Sequence, residues 1–350
     1  MPNRYPISVQ LVTRNGARWL PYCLDSLLKQ TRQDFFLMLI DNDSADETRL
    51  LSERLLAGQP SLSERTRFVG HRQNLGFARA HNQAYLWTDS DFVLVLNQDV
   101  VLAPGYLELT ARCLEQHEQV AAVTGKLLRW EFASATFHPD QLTWQGGEVD
   151  TCGLRLWRSR RVTNLGHGEL NDGRFERELK VFGVPATAAL YRRSALEAVS
   201  PTHECFDPMF GSYKEDVDLA WRLDLAGYDA WCVPQAIGYH DRAVAGGPAD
   251  GHLVLAGKHY RFHPEFQLAS WVNHLATLVK HESLRSLAPD LPWVLWHELQ
   301  KLGFLLVTSP VILLRGLWRL FARLPYLLAE RRSLRGSRRI APLALRKFFR

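Results

Sequence analysis

Three times in its first hundred residues this chain brings a short apolar run to an abrupt polar stop. ISVQLV (7–12) halts at TRNG, FFLMLI (35–40) at DNDSADET, and DFVLVLN (91–97) at QD. Runs of this length and composition are strand signals. Between them lie segments with helical spacing: Leu20, Leu24, Leu27 and Leu28 after the first run, then a stretch from Ser44 to Ala57 with an N-cap ahead of the acidic ADE. A further strand, TRFVGH (66–71), leads into the helical GFARAHNQAYLWT. Strands alternating with helices predict a parallel α/β sheet. In such sheets ligands sit beyond the carboxyl ends of the strands, so the polar clusters are expected to converge on one crevice.

A chain of 350 residues is long enough for one large domain and an appendage. The expected division is 1–250, split into halves 1–128 and 129–250, followed by a helical region 251–350. Residues 130–182 read as short strands and long loops. ATAALYRRSALEAV follows as a strand running into a helix, then a helix over 215–227 closed by Gly227, and AWCVPQAIGYH as a last strand. The five cysteines are widely spaced with no CxxC, which predicts a reducing compartment and excludes a disulfide framework or a cysteine zinc site. The N-terminus has no long apolar run behind a basic segment, so no signal peptide is expected. Eleven tryptophans suit sugar stacking and core packing equally.

Several stretches carry chemistry. LNQDV (96–100) delivers Asn97 and Asp99 to a strand end, where oxygen ligands suit a hard divalent cation against a diphosphate, or form an Asx-type turn. Asp41 in IDND could accept from the imide N–H of a uracil or thymine ring, with a capping role for Asp43 or Ser44 as the structural alternative. In NLGFARAHN, Gly76 permits close backbone approach ahead of helix N-terminal amides suited to a phosphate or ribose. GSYKEDVDLAWRL sets Glu215, Asp216 and Asp218 in the first turn of a helix. They offset the helix dipole, with Asp218 one turn from Arg222, or one of them is a catalytic base. There is no GxGxxG and no Walker loop, which removes support for hydride transfer and P-loop chemistry.

Taken in order, SVQLVTRNGARWLPYCLDSLLKQT, LIDNDSADET, NLGFARAHNQA, VLNQDV, GVPATAALYRRSALE and FGSYKEDVDLAWRLDLAGY resemble glycosyltransferase family 2, and within it the bacterial rhamnosyltransferase-like branch. The resemblance covers about residues 5–245. It implies a GT-A fold, a mainly parallel central sheet flanked by helices. Thr13 and Asn15 would line the nucleotide pocket and Asp41 would read the base. Asn74, Gly76, Phe77 and Asn82 would shape the ribose and sugar region. Asn97 and Asp99 occupy the family's metal-binding D-x-D position, with Asn in place of the first Asp, and His240 matches a position that helps hold Mg²⁺ or Mn²⁺. Asp216 matches the general base of an inverting transfer, with Glu215 orienting the acceptor or the base. Trp144, Trp157 and Arg161 are candidates for acceptor contact. The implied donor is dTDP-rhamnose, with a UDP-hexose or UDP-galactofuranose as the alternative. A non-catalytic nucleotide-sugar-binding scaffold is the rival from another class.

Charge is uneven. From Arg315 to Arg350 eleven Lys and Arg face a single acid, Glu330, so the total of +5 hides an acidic body and a basic tail. The apolar stretch Leu302–Leu314 contains Pro310 and is too short to span a bilayer. Arg315, Arg319 and Arg323 fall four apart among Leu317, Leu320, Phe321 and Leu324. This pattern predicts an amphipathic helix on an anionic membrane surface, with a helix packed on the catalytic domain and a nucleic-acid arm as the alternatives. The expected protein works at the cytoplasmic face of the membrane on a glycan or lipid-linked acceptor.

Overall fold

The computed structural model describes residues 5–130, 147–200, 204–241 and 264–349. Its first half is the expected alternation. Strands β1 (Ile7–Thr13), β2 (Phe35–Asp41), β3 (Thr66–Gly70) and β4 (Phe92–Asn97) run parallel in the order β3-β2-β1-β4. Helices α1 (Leu20–Leu28), α2 (Thr48–Ala57), the single turn α3 (Pro60–Ser63) and α4 (Phe77–Leu86) connect them. Thr13 pairs with Asp41, Asp41 with Gly70, and Val12 with Asn97, so the carboxyl ends finish level. That register gathers the polar clusters on one edge.

The second half is mixed. It contains β5 (Val100–Leu102), α5 (Tyr106–Gln116), β6 (Val120–Arg129), β7 (Val149–Thr151) and the hairpin β8 (Leu154–Leu156)–β9 (Val162–Asn164). Then come β10 (Leu179–Val181), β11 (Ala188–Arg192), α6 (Arg193–Val199), α7 (Glu215–Leu225) and the long β12 (Asp229–His240). β11 runs antiparallel between β4 and β6, β12 parallel to β6, and β5 and β10 antiparallel to β12. Gly125 is required where β12 bulges: a Cβ there would lie 1.9 Å from the Ala236 carbonyl oxygen.

Alternation of side chains along the strands fills two layers. Ile7, Val9, Leu11, Leu94 and Leu96 pack under α1 and α5, whereas Val93 and Val95 pack under α4, α6 and α7.

Beyond the sheet lie α8 (Pro264–His281), α9 (Leu284–Leu287), α10 (Leu291–Thr308), α11 (Pro310–Ser333) and a 3₁₀ segment at Pro342–Phe348. Pro310 opens α11 rather than interrupting a longer helix. These helices are bolted to the sheet by buried charge. Asp218 binds Arg222 at 2.9 Å, Lys280 at 2.7 Å and His281 at 2.8 Å, and Lys280 also reaches Asp207 at 2.6 Å. Burial alone would raise Asp218, but Lys280, Arg222 and His281 hold it well below the usual carboxylate range. The lowered value means its stabilisation is present above the unfolded-state pKa and is lost as pH falls through the folded one. Asp218→Asn, which leaves buried cations short of a partner, is expected to cost about 3–5 kcal/mol. Denaturant unfolding at neutral pH checks this, and an unchanged midpoint would refute it.

Candidate active site

The strand-end loops brace one another. Asn15, in the left-handed region at φ 50°, accepts from Ala45 N at 2.8 Å, while its own N–H donates to Ser44 Oγ at 2.9 Å. Ser44 Oγ donates to the buried Asp41 carboxylate. Thr13 is buried and donates through Oγ1 to Gln98 Oε1, which also accepts from Arg14 N at 2.8 Å. Gln98 therefore turns back to the first loop. Asn42 was not foreseen. It donates to Asn74 Oδ1 at 3.0 Å and accepts from Leu75 N at 2.9 Å, setting the path of the third loop. Gly76 caps α4 at φ 78°, and a Cβ there would stand 3.2 Å from the Gly211 carbonyl oxygen. That oxygen accepts from Ala78 N at 2.9 Å, tying the third loop to the segment before α7.

The segment before α7 is strained. Tyr213 and Lys214 hold φ of 72° and 71°, conformations costly for residues with a Cβ. Asn273 of α8, also unforeseen, offsets that cost. Its Nδ2 lies 2.9, 3.2 and 2.8 Å from the carbonyl oxygens of Phe210, Ser212 and Tyr213. A helix from the C-terminal region thus fixes the turn that starts α7 with Glu215 and Asp216.

Those two acids open onto a cleft of about 560 Å³ together with Phe77, Asn97 and Lys214. Burial raises Asp216 above the usual aspartate value, against the pull of Lys214 and a 2.8 Å hydrogen bond from Val217 N. Burial, then the Asp216 charge, raises Glu215 as well, and its buried Oε2 has no hydrogen-bond partner among the described residues. Burial and mutual repulsion therefore disfavour a double charge on the pair and raise its affinity for a proton.

Asp99 and His240 meet where β5 pairs with β12. His240 Nε2 lies 3.4 Å from Asp99 Oδ2, and its Nδ1 lies 2.9 Å from Asp150 Oδ2 on β7. Burial opposes the imidazolium, yet the Asp150 and Asp99 carboxylates raise His240 to about 9. A carboxylate behind a histidine whose other nitrogen faces a second carboxylate is the donor arrangement of many metal sites. A second group, His274, His297 and Glu298, offers ligand atoms within 4.8 Å of one another. Lys301 and Lys214 act on it electrostatically and disfavour a cation there.

Of the other expected residues, Phe77 lines the cleft, with its ring 5.7 Å from that of Phe206. Asn82 does not line it: both ends of its buried amide bond to the Phe206 backbone, at 2.7 and 2.8 Å, and it braces α4. Leu154, Val162, Thr163 and Asn164 bring the β8–β9 hairpin to the same cleft. Trp157 and Arg161 close that hairpin's turn, where Trp157 Nε1 donates to Thr163 Oγ1 at 2.9 Å. Trp144 lies outside the described residues.

Comparison with known proteins bears on the family and the fold. The model of "Glycosyl transferase family 2" matches residues 8–200. The chain is 28% identical over 269 residues to an N-acetylglucosaminyl-diphospho-decaprenol L-rhamnosyltransferase of Mycobacterium tuberculosis, covering 72% of this chain and 81% of that one. It spans only 46% of the length of another curated relative. Among solved structures, GalNAc-T7 with UDP, GalNAc and Mn²⁺ superposes with TM-score 0.58 at 13% identity, covering 80% of this chain and 48% of that one. The mannosyltransferase PcManGT from Pyrobaculum calidifontis, with GDP-Man and Mn²⁺, gives TM-score 0.52 at 16% identity, covering 96% and 86%. These likenesses establish the GT-A fold. With the family match spanning more than half the chain, the protein belongs to glycosyltransferase family 2.

Proposed function

We propose that the protein is an inverting, metal-assisted transferase that moves rhamnose from dTDP-rhamnose onto a hydroxyl of a cell-surface glycan or its lipid-linked precursor. The carrying observation is that Asn97, at the end of β4, and Asp216, at the start of α7, open onto one cleft. Asp216 takes the proton of the acceptor hydroxyl as its oxygen bonds to the anomeric carbon. The bond from that carbon to the diphosphate oxygen breaks, and the electron pair leaves with the nucleoside diphosphate. Asp99 and His240, with Asp150 behind the imidazole, would hold a Mg²⁺ or Mn²⁺ ion that offsets the charge on the leaving diphosphate. Thr13, Asn15 and Asp41 would receive the nucleotide, and Asn74 and Gly76 would shape the ribose side. The β8–β9 hairpin, with Trp157 and Arg161, would face the acceptor. The rhamnose assignment is supported by the named function of the mycobacterial relative. Release of nucleoside diphosphate from a donor panel, with and without Mn²⁺, tests it: turnover of dTDP-rhamnose is expected. Turnover of UDP-hexose or UDP-galactofuranose alone would overturn the sugar.

The C-terminal helices support attachment to the cytoplasmic face of an anionic membrane. No described helix is long and apolar enough to cross one. Yet α10 and α11 leave Trp296 65%, Val307 83%, Trp318 71% and Phe321 77% exposed, apolar side chains that would suit contact with lipid. Arg331, Arg332 and Arg335 continue the basic character beyond it. The full chain is expected to sediment with phosphatidylglycerol vesicles and not with duplex DNA. The reverse preference would remove the membrane reading.

A further inference from the structure

Two long cations, Arg160 and Lys214, hold a left-handed backbone, a conformation that a β-carbon makes costly. Arg160, at φ 65°, recovers the cost: its guanidinium bonds Glu282, Asp290 at 3.1 Å and the Ser286 carbonyl oxygen at 2.8 Å. Lys214, at φ 71°, has no such return. Among the described residues its Nζ makes one hydrogen bond, at 3.4 Å to the Val162 carbonyl oxygen, and no ion pair. We propose that Lys214 is a positioning residue for the transfer: its ammonium, standing on the wall of the catalytic cleft, holds the Glu215–Asp216 pair in its charged, proton-accepting form. This deepens the base assignment made above and rests on it.

Placement carries the assignment. Among the described residues that line the cleft, Lys214 is the single cation, and Glu215 and Asp216 are the acids. The ammonium is tethered to the β8–β9 hairpin through Val162, not to either carboxylate. A cation bonded to the base would occupy the lone pair that has to take the proton. A cation nearby but unbonded favours the charge and leaves the oxygen open. The backbone alone does not call for lysine. Its carbonyl accepts from Asp218 N at 2.9 Å where α7 begins, and glycine would meet that requirement at less cost. What lysine adds here is its side chain. The surrounding charges fit this role. Burial lowers the Lys214 ammonium, Asp216 and Glu215 favour it, and Arg161 in the hairpin turn opposes it. Lys301 of α10 and His274 of α8 feel the same ammonium, while His274 is bonded to Glu298 at 3.0 Å. Tyr191 of β11 feels the two acids from the sheet side.

Two measurements on the full chain test this: the pH dependence of nucleoside diphosphate release from the donor that the panel identifies, and an NMR titration of the Asp and Glu carboxylates. Lys214→Met keeps the side chain's length without its charge. It is expected to turn over about ten-fold or more slowly on the acid side of the rate profile and to approach wild type on the alkaline side, because losing a nearby cation raises the pair's affinity for a proton. The carboxylate titration should move up with it. Lys214→Arg should keep most of the acid-side rate. Lys214→Gly separates charge from scaffold: it fits the left-handed turn without strain and should be no less stable than Lys214→Met in denaturant, yet show the same acid-side loss. Wild-type rates in Lys214→Gly across the pH range would mark a residue that only shapes the turn and would overturn the proposal. So would an unmoved profile in Lys214→Met, or a uniform loss at every pH, which marks contact with the acceptor instead. If Asp216→Asn keeps full turnover while the carboxylate titration still moves up in Lys214→Met, the base reading falls alone. If Asp216→Asn loses turnover and neither profile nor titration moves in Lys214→Met, the lysine reading falls alone.

Discussion

Asp216→Asn will lower kcat by about 10²–10⁴-fold while leaving donor affinity within about two-fold, because the change removes a proton acceptor and almost nothing else. Asn matches the carboxylate in shape and keeps an oxygen for the hydrogen bond from Val217 N, so the strained turn at Tyr213 and Lys214 keeps its path. The pH dependence gives an independent readout. A general base works only when deprotonated, and burial raises Asp216 above the ordinary aspartate value of about 3.9. Activity should therefore rise with pH along an acid limb centred above that value, and the limb should be absent from the residual rate of Asp216→Asn. Unchanged turnover in the variant, or a limb at the value of an exposed aspartate, would take the base away from this residue. Glu215 sits beside it with a buried oxygen that has no hydrogen-bond partner among the described residues, and burial with the Asp216 charge raises it as well.

Much of this arrangement is visible before folding. Abrupt endings of apolar runs mark the carboxyl ends of β1, β2 and β4, because a buried parallel strand tolerates polar side chains only where it leaves the sheet. Asp218 is likewise legible as the partner of Arg222 one turn on. Its ties to Lys280 and His281 are not, since they span 62 and 63 residues of chain. The same holds for Asp150, a single acid in a short irregular strand that gains meaning only when β7 pairs with β6 and brings it to His240. Asn273 left a faint signal, a lone amide in the apolar helical run SWVNHLA, but nothing in the run says which carbonyls it serves. For the basic tail, four-residue spacing puts Arg319 and Arg323 on one face of a helix. It does not say whether that face meets lipid or protein, and here packing turned it inward.

Asp99→Asn is the second change expected to act at the chemical step, with a loss of about 10²–10³-fold in the metal-stimulated rate, the scale set by removing a stabilising group from a developing negative charge. The donor-affinity change depends on the ion: small in EDTA, large with Mn²⁺. The reason lies in the charge at the end of β4. Asn97 is neutral, Gln98 is turned away to the first loop, and Asp150 is committed to His240 Nδ1, so Asp99 is the acid that would face an ion held at this strand end. One carboxylate and one imidazole make a weak site for a hard divalent cation, which prefers several oxygen ligands. The diphosphate must supply the rest. Mn²⁺ is accordingly expected to bind the protein tightly only when nucleoside diphosphate is present, and Asp99→Asn should abolish that coupling. Asp150→Asn, which loosens the imidazole without touching the ion, should weaken Mn²⁺ affinity about 10–100-fold and leave the rate at saturating metal near normal. Titration of Mn²⁺ with and without dTDP, followed by calorimetry and by rate, separates these effects. A wild-type enzyme fully active in EDTA, or an Asp99→Asn variant with undiminished Mn²⁺ response, would sink the assignment of the metal to this strand end.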